Sequence, residues 1–331
     1  MHKEFLMGNA AIALGAVAAG VNVVAGYPGT PSTEVLETIA KHRPDDVYVE
    51  WSVNEKAAME LAAGASYAGA RSMVTMKQVG LNVASDPLMS LEYVGIKGGM
   101  VILVADDPGP ISSQTEQDTR HFSRFSKLPC FDPSSAQEAY EMIQEAFEYS
   151  EKYGTPVFLR PTTRVCHGYA SIMVKDETEY THHQPEGFIK DSKRWVIFPR
   201  LSFMNHKKIE ARNQELSDIF SSYEKNTIHP SCDAFKDSKK GIATGGISYT
   251  YTMETLKKTG MVKTLKIATP HPFPEKLAVD FLSGLDEVLC LEELDPVIER
   301  ELIYICGKYH LPTRINGKLS GHTACAGENT R

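Results

Sequence analysis

Apolar positions in the first half of the chain fall into short unbroken runs. Between the runs lie longer stretches whose apolar positions recur every three or four residues. The runs "VNVVAG" (21–26), "VYVEW" (47–51), "SMVTM" (72–76), "MVILVAD" (100–106) and "PVFLR" (156–160) predict strands. The stretches 8–19, 32–42, 54–69, 81–90 and 134–151 predict helices. Strands that are apolar throughout, joined by helices, belong to a parallel sheet covered on both faces. The expected fold class is therefore α/β, an open doubly wound sheet over residues 1–170.

From about 170 to 238 this alternation stops. "DETEYTHHQPEGFIKDSKRW" and "SSYEKNTIHPSCDAFKDSKK" are polar, with one helix expected near 206–222, so 171–238 reads as a linker with partial helix. His182 and His183 within it read as solvated. Alternation resumes at "GIATGG" (241–246). Helices at 248–259, 275–283 and 296–309 and strands at 265–269, 287–293 and 313–317 complete a second, smaller open parallel α/β domain over 239–318. Residues 319–331 read as a polar tail.

Composition narrows the function classes. A hydrophobic share of 42%, a charged share of 23% and a net charge of −7 describe a globular chain with no electrostatic reason to bind nucleic acid or an anionic membrane. The run "NAAIALGAVAAGVNVVAG" passes straight into a strand and follows Glu4, so it reads as a first helix and strand rather than a leader; a cytoplasmic location is the expectation. The six cysteines are scattered with no C-x-x-C pair, which argues against a disulfide framework, a zinc site or an iron–sulfur ligand run. No metal site is expected.

In doubly wound sheets, ligands sit in the loops at the carboxyl ends of strands. None of these loops is G-x-G-x-x-G or a P-loop, so NAD and ATP lack their phosphate cradle. The loop "AGYPGTPSTE" (25–34) combines close-turning glycines with Thr30 at the strand's end. "MKQVGLN" (76–82) offers the amides of Gln78 and Asn82, and Gly80 would admit a heterocycle closely. In "DDPGPISSQTEQDTRHF" (106–122), Arg120 can clamp a carboxylate or pair with Asp118 or Glu116 at the surface. His121 can serve as an acid–base group or pack among aromatics. Glu55 opens a helix whose small face runs through Ala58, Ala62, Ala65 and Gly69, a face that a backbone or flat ligand can approach. It is either a helix-start residue or an acid held for chemistry. "TGGIS" reads as a tight turn and "EELDP" (292–296) as a solvated edge or subunit contact.

Together, "GYPGTPSTE", "EWSVNEKAAMELAAGASYAGARSMVTMKQVGLN" and "SSQTEQDTRHFSRF" closely resemble the pyrimidine-binding domain of thiamine-diphosphate 2-oxoacid:ferredoxin oxidoreductases, most of all the alpha subunits of the indolepyruvate branch. The resemblance continues through "SKRWVIFPR", "GIATGGISYTY" and "VLCLEELDPVIE". It implies a transketolase C-terminal-like second domain. It also implies that Glu55 bonds N1′ of the aminopyrimidine and so activates the cofactor for attack on a 2-oxoacid carbonyl. That role asks for a carboxyl able to hold a proton, which burial favours and a helix start opposes. By the same resemblance Tyr27, Pro28 and Gly29 line the ring pocket, Gln78, Gly80 and Asn82 meet the cofactor, and Thr30 and Arg120 meet the substrate. The family's GDG motif and cysteine clusters are missing, so Mg²⁺, the diphosphate site and the 4Fe–4S clusters are expected on a further domain or chain. The implied partners are that diphosphate-binding domain, the beta subunit, ferredoxin, coenzyme A and an arylpyruvate. Alone the chain is expected not to turn over. A pyruvate or 2-oxoglutarate oxidoreductase alpha subunit and a non-catalytic interaction subunit remain alternatives.

Overall fold

The computed structural model describes residues 1–329, so the last two residues of the expected tail lie outside the described residues. In chain order the strands are β1 (His2–Met7), β2 (Val23–Gly26), β3 (Tyr48–Trp51), β4 (Ser72–Lys77), β5 (Met100–Ala105), β6 (Cys130–Phe131), β7 (Val157–Leu159), β8 (Tyr169–Val174), β9 (Thr227–His229), β10 (Lys240–Gly245), β11 (Lys263–Ile267), β12 (Glu287–Leu291) and β13 (Arg314–Asn316). A six-stranded parallel sheet has the order β3-β2-β4-β5-β7-β6. Every residue of β5 is buried, as a central strand covered on both faces requires.

Two apolar layers flank this sheet. On one face, helices Gly8–Ala18, Thr33–His42 and Ala136–Tyr153 contribute Ile12, Val35, Ile39, Ile143 and Phe147. On the other, helices Glu55–Tyr67 and Gln78–Val94 contribute Met59, Ala62, Leu81, Ala84 and Leu88. The small face of the first of these helices is thus used internally: Ala58 and Ala62 are fully buried in that core. Their lack of bulk lets the helix lie close to the sheet and to its neighbour, not to a ligand.

Several expectations change. The ribbon β1–β8 pairs the N-terminal residues antiparallel with 169–174, two segments for which the sequence predicts no strand. Helix Thr119–Phe125 lies inside what reads as a loop, opened by the Asp118 side chain accepting from Arg120 N. Helix Gln78–Val94 begins three residues before the expected 81, directly after β4, so Gln78 and Gly80 are helical rather than loop residues. Within the polar stretch 171–238, helix Pro199–Phe220 starts earlier than expected, and Pro199 suits that start because it lacks an N–H to leave unpaired. His183 is not simply solvated: its Nε2 lies 2.8 Å from the Gly69 carbonyl.

The second sheet has the order β13-β12-β10-β11-β9. It is not wholly parallel, because β9, three residues from the presumed linker, joins β11 as an antiparallel edge. Its core is Leu265, Phe281, Val288, Leu302 and Ile305. Among the described residues no helix is long and apolar enough to cross a membrane.

One buried group links this core region to pH. The His271 backbone oxygen accepts from Cys130 N, and its ring Nε2 is buried without a partner. Burial pushes its pKa down to about 3, with Arg124, Lys127 and Arg212 adding to the effect. A depressed folded pKa means stability that is present above the unfolded value near 6.5 and lost as pH falls toward 3. Thermal unfolding is expected to show a steep loss of stability between pH 6.5 and 4, amounting to on the order of 3 kcal/mol. In His271→Gln this loss is reduced.

Candidate functional site

The carboxyl ends of β2, β3, β4 and β5 open onto the turn at 27–32, the starts of helices Glu55–Tyr67 and Gln78–Val94, and the loop 107–118. Asn54 caps the first helix, its side chain accepting from Ala57 N at 2.9 Å. Glu55 is the first residue of that helix. Its carboxyl crosses to the second helix: a Cβ on Gly80 would fall 2.6 Å from Glu55 Oε1 and 2.7 Å from Cγ. Gly80 is therefore glycine because Glu55 rests on its backbone. Replacing Gly80 with alanine is expected to leave stability unchanged or raise it by up to about 1 kcal/mol, since alanine is the better helix former. The methyl displaces the Glu55 carboxyl, so thermal melts and any Glu55-dependent activity move in opposite directions.

Glu55 is half-buried rather than sheltered, and it has no hydrogen bond or ion pair among the described residues. The same strand ends and helix starts carry exposed apolar side chains: Tyr27 is 41% exposed, Trp51 39%, Val53 83% and Val83 48%. Pro28, Thr30 and Asn82 are also exposed, while Gly29 is partly covered. The 27–30 turn is fixed internally. Gly29 N donates to Thr33 Oγ1 at 2.9 Å, and Ser32 Oγ donates to the Gly29 carbonyl at 2.9 Å. Gln78 is 1% exposed; its amide donates to the Thr115 carbonyl at 3.2 Å, and its Oε1 is a buried acceptor with no partner. Asn82 instead donates to Gln117 Oε1 at 3.1 Å.

Arg120 departs from the reading of a substrate clamp. It is 2% exposed and enclosed by acids and carbonyls. Nε donates to Asp118, one terminal nitrogen to Glu292 Oε2 at 2.7 Å, and the other to Asp118 and to the carbonyls of Glu293 and Asp295. The pairing with Asp118 weighed from spacing does occur, but in the interior. Among the described residues His121 stacks on no aromatic ring; its Nε2 lies 2.9 Å from Asp295 Oδ2 at the surface. With Asp118 these form the one acid–histidine grouping of metal-ligand spacing among the described residues, and Asp118 is already committed to Arg120.

"EELDP" is likewise not a solvated edge, since Glu292 and Glu293 are 3% and 4% exposed. Glu292 accepts from the backbone of Val297, Ile298 and Glu299, the start of helix Val297–Tyr309, at 3.0–3.1 Å. "TGGIS" also meets an anion from within the chain: a Cβ on Gly246 would sit 3.1 Å from the Asp132 carboxylate. Asp132 in turn faces Arg160, which binds Asp106 at 2.6 Å. Two buried guanidiniums thus stand among four buried carboxylates, and two helix starts of the second sheet supply the remaining positive potential. Burial pushes Asp106 up to about 6 despite Arg160, and pushes Glu292 up despite Arg120. For Asp118 burial also opposes ionisation, but Arg120 and Arg160 outweigh it and hold the carboxyl below the usual range.

Sequence reading missed this network. Its signal was strands that end in charge: Asp106 after β5, Arg160 after β7 and Glu292 after β12. A charge closing an otherwise apolar strand is at the sheet's carboxyl edge, where it meets loops and the neighbouring domain.

Residues 14–229 match the family model described as pyruvate flavodoxin/ferredoxin oxidoreductase, thiamine diphosphate-binding. The chain belongs to this family. Its relatives include the indolepyruvate oxidoreductase subunit IorA of Methanothermobacter thermautotrophicus, 43% identical over 324 residues, covering 96% of this chain and 51% of that protein. The IorA subunit of Pyrococcus horikoshii is 40% identical over 323 residues, covering 96% and 49%. The chain thus spans about half the length of the curated relatives it matches. Among solved structures, the 2-oxoglutarate:ferredoxin oxidoreductase of Magnetococcus marinus superposes with a TM-score of 0.75 at 17% identity, covering 95% of this chain and 62% of that one. A split-gene transketolase superposes with a TM-score of 0.60 at 15% identity, covering 94% and 87%. Both share the fold. The family's thiamine diphosphate fits the site on two observations: Gln78 Oε1 is a buried acceptor lacking a donor, and Glu55 is a carboxyl with no protein partner. An aminopyrimidine offers a donor and a ring nitrogen to such a pair.

Proposed function

We propose that this chain is the pyrimidine-binding part of a thiamine-diphosphate-dependent oxidoreductase. The assembled enzyme oxidatively decarboxylates indolepyruvate and other arylpyruvates to acyl-CoA and reduces ferredoxin. The observation that carries this reading is Glu55, unpaired and seated on Gly80, on the helix that also carries the unpaired Gln78 acceptor. When bound, thiamine diphosphate supplies a carbon nucleophile for the 2-oxoacid carbonyl. Glu55 holds and exchanges a proton at N1′ of the pyrimidine. Gln78 Oε1 accepts from the ring's amino group, Gly80 lets the ring and carboxyl approach closely, and Asn82 lies one step further along the helix edge. Tyr27, Pro28 and Gly29 bound the ring's other side, with Thr30 toward the substrate. Arg120 has no part in substrate binding in this reading, because its guanidinium is enclosed.

A half-exposed acid is a poor proton relay in water. The desolvation the role needs comes from what covers Glu55, and the apolar rim of Tyr27, Trp51, Val53 and Val83 suits a covering protein surface. That surface is the diphosphate-binding domain, which also brings Mg²⁺; the clusters, the beta subunit and coenzyme A complete the assembly. The experiment combines the chain with a diphosphate-binding domain and follows 2-oxoacid-dependent reduction of ferredoxin or a dye. Indolepyruvate turning over faster than pyruvate or 2-oxoglutarate supports the reading. Faster turnover of either smaller substrate assigns the chain to that branch instead.

A further inference from the structure

We propose that Glu292, on the second sheet, is a positioning residue for the Glu55–Gln78 site, acting through Arg120 and the loop 107–118. The proposal rests on the function proposed above. Its starting point is Gln78, whose orientation is set by one hydrogen bond from its amide to the Thr115 carbonyl. If that carbonyl moves, the buried Oε1, assigned above to the ligand, moves with it. Thr115 lies three residues before Asp118, and what fixes Asp118 fixes this end of the loop.

Asp118 is held by Arg120, which the second domain grips, and by one backbone N–H of that domain directly. Its carboxylate binds Arg120 Nε and the terminal nitrogen, and Asp118 Oδ2 accepts from Asp295 N at 3.1 Å. Arg120 is in turn aimed by Glu292 and by the carbonyls of Glu293 and Asp295. Glu292 does not adapt to Arg120, because three backbone N–H groups of helix Val297–Tyr309 fix its two oxygens independently. The order of control therefore runs from a helix start, through a carboxylate and a guanidinium, to a loop and an amide. The links as far as Asp118 are charge-assisted hydrogen bonds, where small shifts are costly, and from there the effect passes along three residues of chain to the Thr115–Gln78 bond. A second tether holds the same loop, since Glu116 Oε1 accepts from Gly109 N and from Gly327 N of the C-terminal segment. Gln117 is also tied to Asn82 and Thr119 to Asp106, so Arg120 orients the Asp118 side chain within a loop end that has other anchors.

Glu292→Gln keeps an oxygen for the helix start and removes the charge that aims Arg120. In the enzyme assembled with a diphosphate-binding domain, the thiamine diphosphate concentration for half-maximal rate is expected to rise on the order of tenfold, with the 2-oxoacid KM unchanged. Because the effect passes through Gln78, the double variant E292Q/Q78A should resemble Q78A alone, which a merely structural role would not produce. In the chain by itself, hydrogen exchange should accelerate in 107–118 while the six-stranded sheet keeps its protection. Should E292Q not fold, Arg120→Lys, which retains the charge and loses the fork, is expected to show the same exchange pattern. Additive effects of E292Q and Q78A, or unchanged exchange in 107–118, would overturn the proposal. An assembled wild-type chain with no thiamine-dependent activity overturns the proposed function instead, and the exchange experiment still decides whether Glu292 governs the loop.

Discussion

Glu55→Gln is expected to lower 2-oxoacid-dependent dye reduction by roughly 10²–10⁴-fold in the enzyme assembled with its diphosphate-binding domain, the range that general acid–base catalysis supplies. Glutamine keeps the shape and a hydrogen-bonding oxygen, so the side chain still rests on Gly80 and the core beneath it is untouched. What it loses is the exchangeable proton at the pyrimidine's N1′. Because Glu55 has no protein partner, its replacement leaves nothing else unsatisfied, and thermal stability should change by less than about 0.5 kcal/mol. Loss of rate with retained assembly and an unshifted melt is the expected pattern. An undiminished rate would remove Glu55 from the chemistry and leave it as an ordinary residue of a first helical turn.

The second large effect is on stability. Arg160 is 2% exposed, binds Asp106 at 2.6 Å and Asp132 at 3.2 Å, and lies 3.8 Å from Asp118. Arg160→Met fills similar space and leaves Asp106 and Asp132 buried without their cation, while Asp118 keeps Arg120. Breaking one side of such a cluster costs about 3–5 kcal/mol. The deficit should narrow as pH falls, because Asp106, already pushed up to about 6 by burial, then takes up a proton and no longer needs the guanidinium. Denaturant melts of the two chains at pH 8 and pH 5 check both the size and the sign. A deficit under 1 kcal/mol at pH 8 would mean that neighbouring groups or solvent replace the arginine.

The six-stranded sheet was legible because its strands are apolar throughout and its helices keep a steady period, as in "MVILVAD" and the stretch 134–151. Shorter or edge elements were not. β6 is two residues long, β9 is three, and β1 alternates across a half-exposed ribbon, so none gives a run that stands out from loop sequence. The start of helix Gln78–Val94 was misplaced because Gln-Val-Gly looks like a turn. Its glycine answers instead to the side chain of Glu55, a contact between two helices that no local pattern records. Glu55 was singled out as a candidate through its place in spaced motifs. Its degree of cover was not legible, since that depends on what a neighbouring domain contributes. Arg120 carries the same lesson. An arginine following a polar loop reads as a surface clamp until Glu292, far along the chain, is seen to enclose it.

The central claim concerns a proton, and it can be measured without turnover. In the chain assembled with a diphosphate-binding domain, Mg²⁺ and thiamine diphosphate, quenched-flow NMR follows hydrogen–deuterium exchange at C2 of the bound cofactor. The account predicts fast exchange in the wild type, and exchange slowed by about 10²-fold or more in Glu55→Gln with cofactor still bound. Equal exchange rates in the two, at equal cofactor occupancy, would contradict it.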